Sequence, residues 1–164
     1  MRWLIFFFML HSAGYATNPD CIEAFETYRV SGQSMSGIVE EGEKVLLAKG
    51  FYKCNPVERD DIVLYDYAGS DIPLIKSVKG LPGDSIQLKN GILHINGEAI
   101  KTASGNFYKP DSQAMTMLNL YINRHNQIIP ARAFLLLGSK SNTLDSGSFG
   151  WVSQRNLIGK VFFK

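Results

Sequence analysis

Apolar residues in this chain come in short bursts rather than in long helical stripes. Ile62-Val63-Leu64-Tyr65 is an apolar run that ends at Asp66, and Ser85 to Leu88 alternates polar and apolar positions before Asn90-Gly91. Ile92 to Ile95 follows and runs into Asn96-Gly97. Successive side chains of a strand point to opposite faces, so such segments suit a half-buried sheet. Both central positions of a two-residue hairpin turn need positive φ, which Asn and Gly accept, and the two Asn-Gly pairs therefore predict successive hairpins and a β meander. Phe134 to Leu137 and Val161 to Phe163 add two apolar strands near the C-terminus. One short helix is predicted, over Cys21 to Tyr28. The stretch from Ala103 to Pro130 is polar, irregular and contains methionines, and reads as an insertion or long loop. The expected fold class is mostly β, an antiparallel sheet or barrel-like arrangement with few short helices.

The start of the chain differs in kind. Arg2 precedes an unbroken apolar block from Trp3 to Leu10, and Gly14-Tyr15-Ala16 supplies small residues where a leader enzyme would need them. Residues 1–16 read as an export signal. A spanning helix needs about 20 apolar residues, and this stretch ends by Asn18-Pro19, so a short retained anchor and a buried core strand stand as alternatives. The remainder, residues 17–164, is expected to form one domain, because 164 residues hold one hydrophobic core rather than two. Seventeen Lys and Arg against fifteen Asp and Glu give a net charge of +2, and the basic residues are scattered, which argues against a nucleic-acid partner. Export also changes the meaning of Cys21 and Cys54, the only two cysteines. An isolated pair in an oxidising compartment most often forms a disulfide, here tying the chain ahead of Ser34 to the loop at Phe51 to Cys54. Without C-x-x-C spacing the pair makes no metal site, and no cofactor is expected.

Candidate chemistry begins at Val30-Ser31-Gly32-Gln33-Ser34-Met35. A serine after a glycine-bearing turn can be held in a tightly bent backbone, with its hydroxyl projecting and its own N–H aimed at a developing oxyanion. Taken alone the segment is an ordinary turn. A nucleophilic serine also needs a base. Of the three histidines, His11 lies in the leader, His94 in a hairpin strand and His125 in the irregular stretch, and none has a neighbourhood suited to a Ser-His-Asp triad. A lysine serves only if burial depresses its pKa by several units. Lys76 meets that demand, because it follows Ile72-Pro73-Leu74-Ile75 and precedes Ser77-Val78, interrupting an apolar strand where a free charge is costly.

Together these segments resemble the bacterial type I signal peptidases, membrane-bound serine endopeptidases of the Ser/Lys dyad class. The family's G-x-S-M segment is matched by Gly32-Gln33-Ser34-Met35, and its G-D-I-V segment by Asp60-Asp61-Ile62-Val63 with Asp for Gly. Its K-x-x-x-G-x-P-G-D segment is matched in full by Lys76 to Asp84, and Ser/Thr-x-Asp-Ser by Thr143-Leu144-Asp145-Ser146. The four matches occur in order from about Val30 to Val161. Further positions depart from the family: Gly37 stands where proline is usual, which predicts a looser backbone past Ser34, Gly138-Ser139-Lys140-Ser141 stands where the last block usually opens G-D-N-R, and Ser77 and Gly147 stand where arginines are usual. Asp145 therefore lacks its customary cationic partner.

The resemblance implies Ser34 as nucleophile, Lys76 as general base, Thr143 as a hydroxyl that orients the lysine amine, and Asp145 as a structural acid near the site. Gly32 falls where some members carry an oxyanion-binding serine. It also implies an extended substrate paired as an added strand between Thr27 to Val30 and Pro73 to Ile75, with Tyr28, Val30, Leu74 and Ile75 as apolar walls. The implied partners are exported precursor polypeptides carrying signal peptides or pilin leaders, and the cytoplasmic membrane surface. The implied location is the periplasmic side of that membrane. A dedicated pilin peptidase of a conjugative transfer system and a catalytically impaired peptide-binding relative are the alternatives. A repressor-type Ser/Lys autoprotease needs a DNA-binding domain ahead of the serine, and only 33 residues precede Ser34.

Overall fold

Short apolar segments bury one face each only by pairing side by side, and this chain does so in two antiparallel sheets. The computed structural model describes residues 19–163; the predicted export segment, residues 1–16, lies outside them. The strands are β1 (Ala24–Arg29), β2 (Lys44–Lys49), β3 (Ile62–Tyr65), β4 (Leu74–Gly80), β5 (Ile86–Lys89), β6 (Ile92–Ile95), β7 (Glu98–Ala99), β8 (Ala133–Leu137), β9 (Val152–Ser153) and β10 (Leu157–Phe162). Seven form a sheet in the order β1-β2-β10-β3-β4-β8-β9, and β5-β6-β7 form a separate meander. The two helices are α1 (Ser112–Arg124) and α2 (Ser146–Phe149). Among the described residues no helix is long and apolar enough to cross a membrane.

The meander follows from its turns. Asn90 and Gly91 have φ of 52° and 74°, and Asn96 and Gly97 have 51° and 83°, the left-handed pairs that the Asn-Gly signal predicts. Asp60 also lies in the left-handed region, at φ 67°. This is the position where the resembling motif carries glycine, and aspartate is among the few other residues that tolerate it. Its carboxylate additionally receives Lys79 Nζ at 2.5 Å.

Two segments differ from expectation. Cys21 to Tyr28 is not a helix: only Pro19–Cys21 makes a 3-10 turn, and β1 follows, paired residue for residue with β2 from Ala24↔Lys49 to Arg29↔Lys44. Helix propensity is a weak bias there, and Phe25, Thr27 and Tyr28 suit a pleated edge once β2 offers a partner. The stretch 103–130 contains α1, capped by Asp111, whose side chain accepts from the Ala114 N–H at 2.8 Å. Ala114, Leu118 and Ile122 form its buried stripe, at a spacing of four residues. Leu118 and Ile122 pack with Ile86, Leu93, Ile95, Tyr108 and Leu135, joining the meander to β8. The stripe is narrow and flanked by Asn and Thr, so polarity hides it in the sequence.

Cys21 and Cys54 are joined in a disulfide with Cα atoms 5.9 Å apart, linking the start of β1 to the turn after β2. Between the strands of the large sheet, Val63, Val78, Leu136 and Val152 bury one face, and Val45, Leu47, Leu64, Ile75 and Val161 the other. Because Leu118 is fully buried, Leu118→Ala is expected to cost about 2–4 kcal/mol in chemical denaturation. A loss within about 0.5 kcal/mol, the range of a neutral surface change, would contradict the packing of α1 against the meander.

Candidate active site

The turn carrying Ser34 is bent by glycine and anchored from below by Met35. Gly32 has φ 80°, with open space where a side chain would stand, and Met35 is fully buried among Val30, Val39 and Ile75. Seated this way, Met35 turns the neighbouring serine toward the surface. The departure at Ser36-Gly37 does not loosen this backbone. Ser36 Oγ donates to Gln33 O at 3.1 Å, Gly37 N–H to Glu40 Oε1 at 2.7 Å, and Ile38 and Val39 N–H both to Met35 O at 3.0 Å. Gly37 has φ 87°, a conformation closed to proline.

The chain beyond β8 fastens the same turn from across the sheet. Ser139 N–H donates to Ser34 O at 2.8 Å, and Ser139 Oγ donates to Ser36 O at 2.7 Å. Gly138 has no room for a side chain: a Cβ there would stand 2.2 Å from Thr143 Oγ1 and 2.7 Å from Ser34 O. Neither Gly138 nor Ser139 was visible as a site residue in the sequence, since each acts on the serine turn from more than a hundred residues away.

Lys76 enters from β4, where Val63 is its partner on β3. Its side chain is 1% exposed, and Nζ lies 2.5 Å from Ser34 Oγ. Burial lowers the amine from its usual 10.5 to about 8, while the negative charge of Asp145 pulls it back upward. A minor neutral fraction near neutral pH, growing as pH approaches 8, can therefore accept a proton from the adjacent hydroxyl.

Asp145 is fully buried and fully engaged. Its Oδ2 accepts from Gly138 N–H (3.0 Å) and Thr143 Oγ1 (2.8 Å), its Oδ1 from Gly147 N–H (2.9 Å), and Tyr108 Oη reaches both oxygens at 3.0 and 3.1 Å. Burial pushes its carboxyl up and these donors oppose the rise. Thr143 thus donates to Asp145 and stands one link removed from the lysine. Tyr108 was missed in the sequence because it sits in the stretch read as an irregular insertion.

The strand-like walls occupy two edges. Tyr28 Oη donates to Pro73 O at 3.4 Å, so the edge strand β1 and the head of β4 meet across the curled sheet. β4 pairs with β8 only from Ser77 onward, which leaves Leu74 and Ile75 without a partner on that edge. Val30 contributes differently: its N–H donates to Glu43 O and its carbonyl accepts from Gly42 N–H, so an added strand finds those groups already paired. Among the described residues no cluster of His, Cys, Asp and Glu is arranged to hold a metal.

The lowered pKa of Lys76 makes the site a liability for stability, and the sign follows from where protons are held. Between about pH 8 and 10.5 the unfolded chain keeps the Lys76 proton and the folded chain releases it, so stability rises with pH in that window. At neutral pH the penalty is about 3 kcal/mol, at roughly 1.4 kcal/mol for each tenfold change. Lys76→Met is expected to raise stability at pH 7 by up to that amount, with the gap closing as pH approaches 10.5 in parallel denaturation series. A pH-independent difference would argue against a depressed amine.

A family profile described as signal peptidase, peptidase S26, matches residues 2–164. The chain is 31% identical over 144 residues to signal peptidase I of Bacillus caldolyticus, covering 85% of this chain and 79% of that protein. It is 28% identical over 147 residues to signal peptidase IB of Staphylococcus aureus strain COL, covering 84% and 75%. Among solved structures, a signal peptidase I from Enterococcus faecalis V583 aligns with a TM-score of 0.45 at 21% identity, covering 66% of this chain and 98% of that one. With a family profile spanning nearly its whole length, the chain belongs to the signal peptidase family, peptidase S26.

Proposed function

We propose that this chain is a serine endopeptidase that removes signal or leader peptides from exported precursor proteins, acting at the outer face of the cytoplasmic membrane. The observation that carries the proposal is the buried amine of Lys76, 2.5 Å from the hydroxyl of Ser34. Family membership supports the substrate class, since the matching relatives are named signal peptidases.

Neutral Lys76 takes the proton from Ser34 as Oγ attacks the scissile carbonyl carbon. The carbonyl π electrons move to oxygen, and the Ser34 N–H meets the oxyanion. Collapse of this tetrahedral species breaks the peptide C–N bond, and the lysine ammonium returns its proton to the leaving amine. Water then attacks the ester carbonyl while Lys76 again takes a proton, and Ser34 leaves as its alcohol. Asp145 steadies the ammonium that forms in each half. The substrate lies extended between β1 and the open edge at Leu74 and Ile75, with Tyr28 and Val30 as wall.

Ser34→Ala and Lys76→Ala are each expected to reduce cleavage of a purified precursor by about 10³-fold or more while the chain stays folded, because the two groups act as a unit. Lys76→Arg fails equally, since a guanidinium keeps its proton. The rate of the intact chain rises with pH through a midpoint near 8, as the amine loses its proton. Undiminished cleavage by the Ser34→Ala chain, read by gel and mass spectrometry, would rule the proposal out.

A further inference from the structure

Asp145 is buried beside the lysine, no cation among the described residues is bonded to its oxygens, and one of its donors is a tyrosine. Tyr108 is 1% exposed and its hydroxyl donates to both carboxylate oxygens, at 3.0 and 3.1 Å. Its backbone is held as firmly as a strand: Tyr108 N–H donates to Ile100 O at 2.8 Å, Leu93 N–H donates to Tyr108 O at 3.3 Å, and the next N–H, of Lys109, donates to Ser141 Oγ at 2.9 Å. The stretch between the meander and α1 therefore delivers one polar atom into the site.

Position 147 is built around that atom. A Cβ on Gly147 would stand 3.1 Å from Tyr108 Oη, 3.1 Å from Asp145 Oδ1 and 3.4 Å from Ala114 Cβ. The space in which a longer side chain at 147 could approach the carboxylate is filled by the tyrosine, so the glycine and the hydroxyl form a matched pair.

We infer that Tyr108 is a positioning residue of the Ser34/Lys76 site, holding Asp145 in place and absorbing part of its charge, and thereby setting the pH at which Lys76 becomes a base. The inference rests on the dyad reading above. A hydroxyl brings no formal charge, so its hydrogen bond attenuates the field of the carboxylate without cancelling it, and that field raises the Lys76 amine. The ionisable groups facing this cluster are Lys76 from β4, Asp145 from the start of α2, Tyr108 itself, and Asp111 at the head of α1, whose charge acts on the tyrosine. With the hydroxyl removed, Asp145 retains Gly138, Thr143 and Gly147 as donors, and on this reading these three keep it ionised. Its less attenuated charge then favours the ammonium form of Lys76.

The test is Tyr108→Phe in the full chain, with two readouts. Isotope-labelled lysine reports the Lys76 titration directly, without any turnover, and the pH dependence of precursor cleavage reports it through activity. Both midpoints are expected to move upward together by about 0.5–1 pH unit, the scale of a modest change in a neighbouring charge. In an Asp145→Asn background the same substitution is expected to move neither. An unchanged or lowered Lys76 midpoint in folded Tyr108→Phe overturns the inference. Gly147→Ala, which crowds the hydroxyl from its other side, is expected to shift the midpoint in the same direction and provides the test if Tyr108→Phe does not fold; no shift there overturns the inference as well. A chain whose Lys76 titration responds to Tyr108 but which cleaves no precursor refutes the peptidase reading alone. Dyad-dependent cleavage with an unmoved midpoint refutes the role of Tyr108 alone.

Discussion

An amine held out of water beside a hydroxyl is the constraint on which the rest of this structure depends. Burial of Lys76 favours the form without charge, and only that form can take a proton from Ser34 at moderate pH. The same burial costs folding free energy. A strand is a suitable host for such a group, because pairing with Val63 of β3 fixes the backbone from which the lysine stem leaves. One opposing charge, Asp145, limits how far the pKa falls, so the amine is poised rather than simply neutralised.

Distance is the second requirement, and it is met by fastening three remote segments to one another. Ser139 ties the chain after β8 to the serine turn, Gly138 lets that chain come close, and Met35 buries the underside of the turn in the sheet core. The exit of β4 is fixed by a separate network. Asp84 accepts from Leu81 N–H at 2.6 Å, from Asn96 Nδ2 at 2.8 Å and, on both carboxylate oxygens, from Arg59 Nη2 at 2.9 Å. Burial pushes the Asp84 carboxyl up, yet those donors outweigh it and hold it below the usual range. The Pro-Gly-Asp turn of the motif therefore braces the strand that carries the lysine, and it ties that strand to the hairpin at Asn96.

How much of this could be read in the sequence depended on how local the signal was. The hairpins at Asn90-Gly91 and Asn96-Gly97 and the strand at Ile62 to Tyr65 were legible because turn chemistry and alternation act over a few residues. Ser34 and Lys76 were legible only through the ordered motifs around them. Strand β1 was not, since an edge strand needs β2 to exist and Cys21 to Tyr28 has no pattern that excludes a helix. Helix α1 escaped because three apolar residues in thirteen carry its buried stripe. Ser139 and Tyr108 act through partners far away in sequence, and no local pattern announces a contact of that kind.

The departures from the family motifs are better understood as paired adjustments than as erosion. Glycine replaced by Asp60 keeps the left-handed backbone and adds a salt bridge to Lys79. Gly37, where the motif expects proline, has a backbone that proline could not adopt, and its N–H donates to Glu40 while Ser36 Oγ donates to Gln33 O, which holds the turn. Arginine replaced by Gly147 leaves just the space that Tyr108 fills. In these three cases the substituted residue comes with a contact that suits it: Lys79 for Asp60, Glu40 for Gly37 and Tyr108 for Gly147. The departures thus leave in place the two features on which the site geometry rests, the position of the serine turn and the buried surroundings of the amine.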